Sequence, residues 1–211
     1  MNGIAYPYRG SNHSGSHQYL FPTVNSLLAN IPKDATVLDM GCGNGSFLSL
    51  FAQNGWKLHG TDLSSSGIEM AKKHFPEINF FLADSQSNLE SIQRQIGTAD
   101  VILSTEVIEH VYNPRAFLKT AFDLLKPNGK LVITTPYHGY CKNVVLSISG
   151  KMDRHFTVLW DHGHIKFWSR KTLTLALEET GFKVEQFHGS GRVPYLWKSM
   201  VIMARKPALQ V

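Results

Sequence analysis

At 211 residues, 43% hydrophobic and 18% charged, the chain is long enough for one full core and short for two. No apolar run approaches the roughly 18 residues of a membrane span, which argues against a spanning protein and leaves contact with a membrane surface open. The formal charge of +5 comes from Lys and Arg scattered in ones and twos, densest at 72–73 and 170–171, so a solvated surface is read in preference to a nucleic-acid footprint.

The opening MNGIAYPYRGSNHSGSH lacks the basic flank and apolar stretch of an export signal, making cytoplasm the default expectation. Residues 1–22 read as a polar segment that is either disordered or folds over a ligand. Cys42 and Cys141 lie far apart without metal-finger spacing, so two reduced thiols are expected.

Beyond that segment the sequence alternates in type. TVLDM (36–40), KLHGTDL (57–63), INFFLAD (78–84), ADVILST (99–105) and GKLVITTP (129–136) are short apolar runs that end in polar or glycine residues, as buried strands do. SSSGIEMAKKHF and PRAFLKTAFDLLKPNG suit helices; in the latter Pro114 fits a first helical position, Phe117, Ala121, Leu124 and Leu125 form an apolar face, and Pro127 with Gly129 ends it. A later helix is expected from Ser169 as N-cap through Leu173, Ala176 and Leu177 to Gly181. Two more strands, FKVEQF and SMVIMARK, follow it. The alternation predicts β-α-β units and a parallel sheet covered on both faces, within one domain over residues 1–211. Tyr137 to Trp168 breaks the rhythm with several aromatics and four histidines, and is read as a long functional loop.

VLDMGCGNGSF joins a strand and an acid to Gly41, Gly43 and Gly45 and then to an apolar helical start. Alternate glycines let the backbone take positive φ and let a ligand approach, with backbone N–H groups available to an anion or carboxylate. A dinucleotide fingerprint would place Ser46 at the third small position. The observed G-x-G-x-G, with Asp39 two residues earlier, resembles instead the first motif of the class I S-adenosylmethionine-dependent methyltransferases. Asp62 stands at the end of the second strand, where an acid can accept hydrogen bonds from ribose hydroxyls, and Asp84 ends the third.

The resemblance implies a doubly wound α/β fold with a seven-stranded, mostly parallel sheet and one antiparallel edge strand. It also implies cofactor contacts from Asp39, Gly41, Cys42, Gly43, Asn44 and Gly45, from Asp62 and Leu63 around the sugar and base, from Asp84 and Ser85 at the adenine, and from Thr105 and Glu106. Cys42 is read as a small packing residue rather than a nucleophile, since nothing near it in sequence supplies a base.

TEVIEHVYNP opens directly from the fourth strand. As a helical turn it would set Glu106, Glu109 and His110 on one face, where carboxylates also suit a helix N-terminus without any chemistry. EVIEHVYNP resembles the corresponding segment of the ubiquinone-biosynthesis O-methyltransferases, and E-x-x-E-H also occurs in small-RNA 2′-O-methyltransferases. The resemblance makes His110 the general base, assisted by Glu109. It further implies a divalent site (Mg, Mn, Fe or Zn) formed by Glu106, Glu109, His110 and a later histidine, His164 or His162. Residues 137–168 would then be a lid over a small-molecule acceptor, with Tyr137, Phe156, Trp160, Phe167 and Trp168 around it and Tyr6, Tyr8 and His13 closing the other side. The expected activity is methyl transfer to an oxygen of a small apolar or phenolic acceptor. A metal-dependent RNA ribose 2′-O-methyltransferase and a non-catalytic S-adenosylmethionine-binding protein are the alternatives, and the sequence is silent on oligomeric state.

Overall fold

A computed structural model describes residues 15–84, 88–156, 158–161 and 163–208. Its strands are β1 (Thr36–Met40), β2 (Lys57–Asp62), β3 (Asn79–Leu82), β4 (Ala99–Thr105), β5 (Leu125–Pro136), β6 (Lys183–Ser190) and β7 (Ser199–Arg205). They form one seven-stranded sheet in the order β3-β2-β1-β4-β5-β7-β6. Pairing is parallel from β3 to β5, whereas β7 runs antiparallel to both β5 and β6. The expected antiparallel strand is therefore β7, one place in from the edge, and β6 takes the edge itself.

Helices α1 (His17–Leu27), α2 (Ser65–His74), α3 (Leu89–Ile96), α4 (Pro114–Leu124), α5 (Tyr140–Ile148), α6 (Met152–Phe156) and α7 (Arg170–Thr180) complete the described elements, with 3₁₀ helices at Leu48–Asn54 and Ile108–His110. Strand alternation separates two cores. Leu38, Ile102, Leu131, Ile133 and Ile202 face one side with Phe117, Leu118 and Ala121 of α4 and Leu173 and Leu177 of α7. Val37, Val101, Leu103, Val132 and Val201 face the other, with Leu20 and Val24 of α1 and Ile68 and Ala71 of α2.

The helix starts follow the polar residues before them. Ser64 accepts from the Gly67 N–H (3.1 Å) and Asn113 from the Ala116 N–H (3.1 Å). Ser169 and Thr172 form a reciprocal capping box, and Gly181 closes α7 at φ 103°.

Three expectations change. The segment 1–22 is not uniformly a loose or covering piece, because from His17 it is α1, whose Leu20 is fully buried. The stretch 137–168 contains α5 and α6 rather than an unbroken loop. The helix after the glycine loop is a 3₁₀ helix, in which Leu48 and Phe51, three residues apart and both fully buried, share one face. Tyr6, Tyr8, His13, Ser85 and His162 lie outside the described residues. Among the described residues no helix is long and apolar enough to cross a membrane.

Phe117 fills the α4 side of the sheet at 1% exposure. Phe117→Ala is expected to lower stability by about 3–5 kcal/mol in urea unfolding, because the rigid sheet beneath it cannot close the void.

Candidate active site

The strand order reverses between β1 and β4, so the loops leaving their carboxyl ends lie side by side; open α/β sheets bind ligands at such a point. Gly41 (φ 88°), Gly43 (φ 54°) and Gly45 (φ 75°) all take positive φ in the loop after β1. A Cβ at Gly41 would lie 2.5 Å from Val107 Cγ2, and one at Gly45 would lie 2.6 Å from Phe80 Cζ. Glycine is thus required here for conformation and for the close approach of the β4 segment.

The loop amides do not point outward as expected. Gly41 and Cys42 both donate to the Thr61 carbonyl (2.8 and 2.9 Å), and Gly45 donates to the Cys42 carbonyl (2.9 Å). Gly43 donates to Asp62 Oδ2 (2.8 Å). The reason is register: Met40 pairs with Thr61, and the loop simply continues that pairing past the strand end. Asn44 is also turned to the loop, its Oδ1 accepting from the Ser46 N–H (3.2 Å) and hydroxyl (2.7 Å). Cys42 is buried among core residues and its thiol is pushed up by burial, consistent with packing.

Asp62 spends one oxygen on Gly43 and the other on the Ser64 N–H (2.8 Å). A carboxylate oxygen has two acceptor sites, so each retains capacity for a ligand hydroxyl. Burial raises this carboxyl, against the opposing pull of its backbone bonds. Leu63 beside it is 39% exposed, an apolar surface at the same edge. Asp39 is 1% exposed and its Oδ1 has no hydrogen-bond partner among the described residues. Burial, then the charge of Asp62, push its carboxyl up to about 8. Asp84 lies just past β3, its N–H donating to Asn88 Oδ1 (2.9 Å).

Past Thr105, which pairs with Thr134, Glu106 takes φ 55°, a conformation costing a non-glycine residue on the order of 1–3 kcal/mol. Its N–H donates to the Thr134 carbonyl (3.2 Å) and Oγ1 (3.1 Å). Its carboxyl accepts from Thr134 Oγ1 (2.9 Å) and from Ser199 Oγ (3.0 Å). Burial raises it to about 7.

The helical turn is only the three residues Ile108–His110, so Glu106 lies outside it. The group with metal-ligand geometry is Glu109, His110 and His164, whose candidate atoms all lie within 4.8 Å of one another. Glu109 is 1% exposed. Its Oε2 accepts from Thr135 Oγ1 (3.0 Å). Its Oε1 has no hydrogen-bond partner among the described residues and stands 4.0 Å from Nε2 of both His110 and His164. Burial, then the charge of Glu106, push the Glu109 carboxyl well up.

His110 Nδ1 lies 3.1 Å from the Gly163 carbonyl. A carbonyl only accepts, so Nδ1 carries the proton and Nε2 of the neutral ring is left as base or ligand. Burial, then His110, lower His164 to about 4, keeping it neutral. The strap that carries His164 is tied down by the N–H groups of Ile165 and Lys166, both donating to the Glu109 carbonyl (2.9 and 3.0 Å).

The expected aromatic wall divides. Trp160 meets the rings of His110 (6.2 Å) and His164 (5.4 Å). Phe156 and Phe167 pack instead around His138, at 6.0 and 5.1 Å. Tyr137 and Trp168 belong to the core, Tyr137 against Trp197 at 5.1 Å. Sequence reasoning overlooked His138, a buried histidine whose Nδ1 has no partner among the described residues and which burial lowers to about 3. Only its place in a histidine-rich stretch marked it.

A doubly wound sheet with a glycine loop and an acid-tipped β2 at its switch point defines a nucleotide-binding α/β protein of the class I methyltransferase type. The sequence matches the family model described as a methyltransferase domain over residues 13–187, and the chain belongs to that family of S-adenosylmethionine-dependent methyltransferases. It is 39% identical over 102 residues to the mitochondrial ubiquinone biosynthesis O-methyltransferase of Schizosaccharomyces pombe, covering 47% of this chain and 37% of that protein. It is 26% identical over 157 residues to the ubiquinone biosynthesis O-methyltransferase of Coxiella burnetii, covering 74% of this chain and 67% of the relative. The magnesium protoporphyrin IX methyltransferase of Synechocystis PCC 6803, solved with bound SAH, superposes with TM-score 0.68 at 19% identity, covering 91% of this chain and 84% of that one. At that identity the likeness is one of fold.

The buried groups set opposing pH dependences. Asp39 and Glu106 rise from 3.8 and 4.5 to about 8 and about 7, so the folded protein holds protons that the unfolded chain releases. The stability they contribute is complete below about pH 4 and is lost as pH rises toward 8. His138 and His164, lowered from 6.5 to about 3 and about 4, act in the other sense, with stability complete above 6.5 and lost on acidification. In urea unfolding, Asp39→Asn is therefore expected to gain on the native protein between pH 4 and pH 8 by on the order of a few kcal/mol. A difference independent of pH would contradict the assignment.

Proposed function

We propose that the chain, acting as one domain, transfers a methyl group from S-adenosylmethionine to an oxygen of a small apolar or phenolic acceptor, with His110 at the reacting centre. The observation that carries this reading is the Glu109–His110–His164 group, a buried acid between two half-buried histidines, set beside the glycine loop, with Gly41 against Val107. The names of the two relatives support oxygen as the accepting atom.

The residues present fit the donor molecule. The unsatisfied Asp39 Oδ1 suits a cationic amino group, the spare acceptor sites of Asp62 suit sugar hydroxyls, and exposed Leu63 suits an aromatic base. When bound, S-adenosylmethionine supplies a methyl already activated by its positive sulfur. The chain's task is to align the acceptor and remove its proton. His110 Nε2 receives that proton, while the Gly163 carbonyl holds the ring orientation through Nδ1–H. Thr135 and the strap amides fix Glu109 beside it, with Oε1 4.0 Å from the Nε2 that takes up the proton.

A carboxyl oxygen and two imidazole nitrogens also make a fitting donor set for a divalent ion. Glu109, His110 and His164 would hold Mg²⁺, Mn²⁺, Fe²⁺ or Zn²⁺, which there would acidify a bound hydroxyl. Glu106, engaged by Thr134 and Ser199, stays outside that set.

The test incubates the protein with methyl-labelled cofactor and a panel of catechols and quinols, with and without a chelator. His110→Ala is expected to lower kcat by about 10²–10⁴, and Asp62→Ala to weaken cofactor binding about 10–100-fold in calorimetry. Chelator-resistant turnover assigns His110 as the base alone. Chelator-sensitive turnover, restored by added metal, assigns the three residues as ligands. Cofactor binding with no methylated product from any oxygen acceptor would overturn the proposal.

A further inference from the structure

A cavity of about 510 Å³ opens between α5 and the connection from β6 to β7, within the size range of small-molecule sites. Its wall combines three cations, Lys142, Arg192 and Lys198, with apolar Val145, Val193 and Leu196. It adjoins the reacting centre from two directions. The Lys142 ammonium lies 3.4 Å from the carbonyl of Lys198, the residue before the Ser199 that donates to Glu106. His155, also on the wall, stands 5.2 Å from the ring of His138, and its charge acts on His164.

We infer that this cavity seats the methyl acceptor by an oxyanion, a carboxylate or phosphate attached to an apolar body, and that Lys142 and Arg192 are the groups that recognise it. The inference rests on the proposed methyl transfer and adds the chemical class of the acceptor. Its first ground is the buried cation Lys142, which among the described residues enters no ion pair; Arg192 and Lys198 are exposed on the same wall, the Lys198 ammonium 5.2 Å from the Tyr19 ring. Lys142 is only 6% exposed, and its ammonium has a single, long bond to a carbonyl. A buried cation lacking a counter-charge is unfavourable unless something completes it. Glu106 is the acid whose charge acts on Lys142, but the two form no ion pair, and the Glu106 oxygens accept from Thr134 and Ser199 instead.

The second ground is the lining. A surface lysine that merely reaches for water has no need of a concave apolar wall, whereas here Val145, Val193 and Leu196 share the cavity with the charges. An oxyanion on an apolar body answers both halves. Desolvation, then the neighbouring Arg192, hold the Lys142 ammonium down to about 8 against the opposing pull of Glu106, as for a cation that burial has stripped of water without a paired anion.

Calorimetry with three matched probes tests this. 4-Butylbenzoate and 4-butylphenyl phosphate are expected to bind at least about ten-fold more tightly than methyl 4-butylbenzoate, the usual value of a charge-assisted contact. The stronger of the first two identifies the oxyanion. Arg192→Gln and, separately, Lys142→Met are expected to reduce that preference below about three-fold while S-adenosylmethionine affinity reports an intact fold. Equal binding of acid and ester, or a preference that survives both variants, would overturn the inference. Binding of inorganic phosphate alone as tightly as the aryl phosphate would overturn the role of the apolar wall. Because binding needs no turnover, it separates failure here from failure of methyl transfer, which shows as absence of methylated product.

Discussion

The bond from the Gly43 N–H to Asp62 ties the loop after β1 to the end of β2, and on that tie the remaining geometry depends. It continues the parallel pairing of Met40 with Thr61 beyond the strands, so the loop has one position rather than many. With the loop fixed, Gly41 can sit against Val107, which in turn sets where the chain leaves β4. Glu106, Glu109 and His110 inherit their places from that departure. A side chain at Gly41 would push the two loops apart and move the Glu109–His110 turn without touching it.

Around this point the protein keeps ionisable groups in surroundings that oppose their charge. Asp39, Glu106 and Glu109 are all raised chiefly by burial, while His138 and His164 are lowered for the same cause. Each shift marks free energy withheld from folding and available to whatever completes the group. The unsatisfied oxygens of Asp39 and Glu109 localise two such places, one on either side of the β1–β4 reversal. A preorganised polar site of this kind need not rearrange at the moment of reaction.

The strands were readable because a parallel sheet covered on both faces leaves nearly continuous apolar runs, and the glycine loop was readable because positive φ demands a residue type. Capped helices were readable for the same local reason, as at Ser169. Helix α5 was not: Gly139 at its start offers no side-chain cap, and its β-branched residues favour extended chain. Glu106 was placed with Glu109 by spacing, yet its positive φ turns it toward Thr134 and Ser199, and a glutamate advertises no such conformation. The partners that position the site stand 26 residues away for Thr135 and 93 for Ser199, distances at which only the folded sheet makes neighbours. His138 belongs to the same category.

Strand β7 runs against its neighbours, so it begins where the parallel strands finish. The reversal between β6 and β7 consequently reaches the same rim of the sheet as the glycine loop, but toward the opposite flank, with β4 and β5 between them. A longer or differently charged reversal would remodel one flank of that rim and leave the Asp62 flank undisturbed. The architecture thus gives its rim one half held by the β1–β2 tie and another that can change independently of it, which is how one scaffold can accommodate many chemistries.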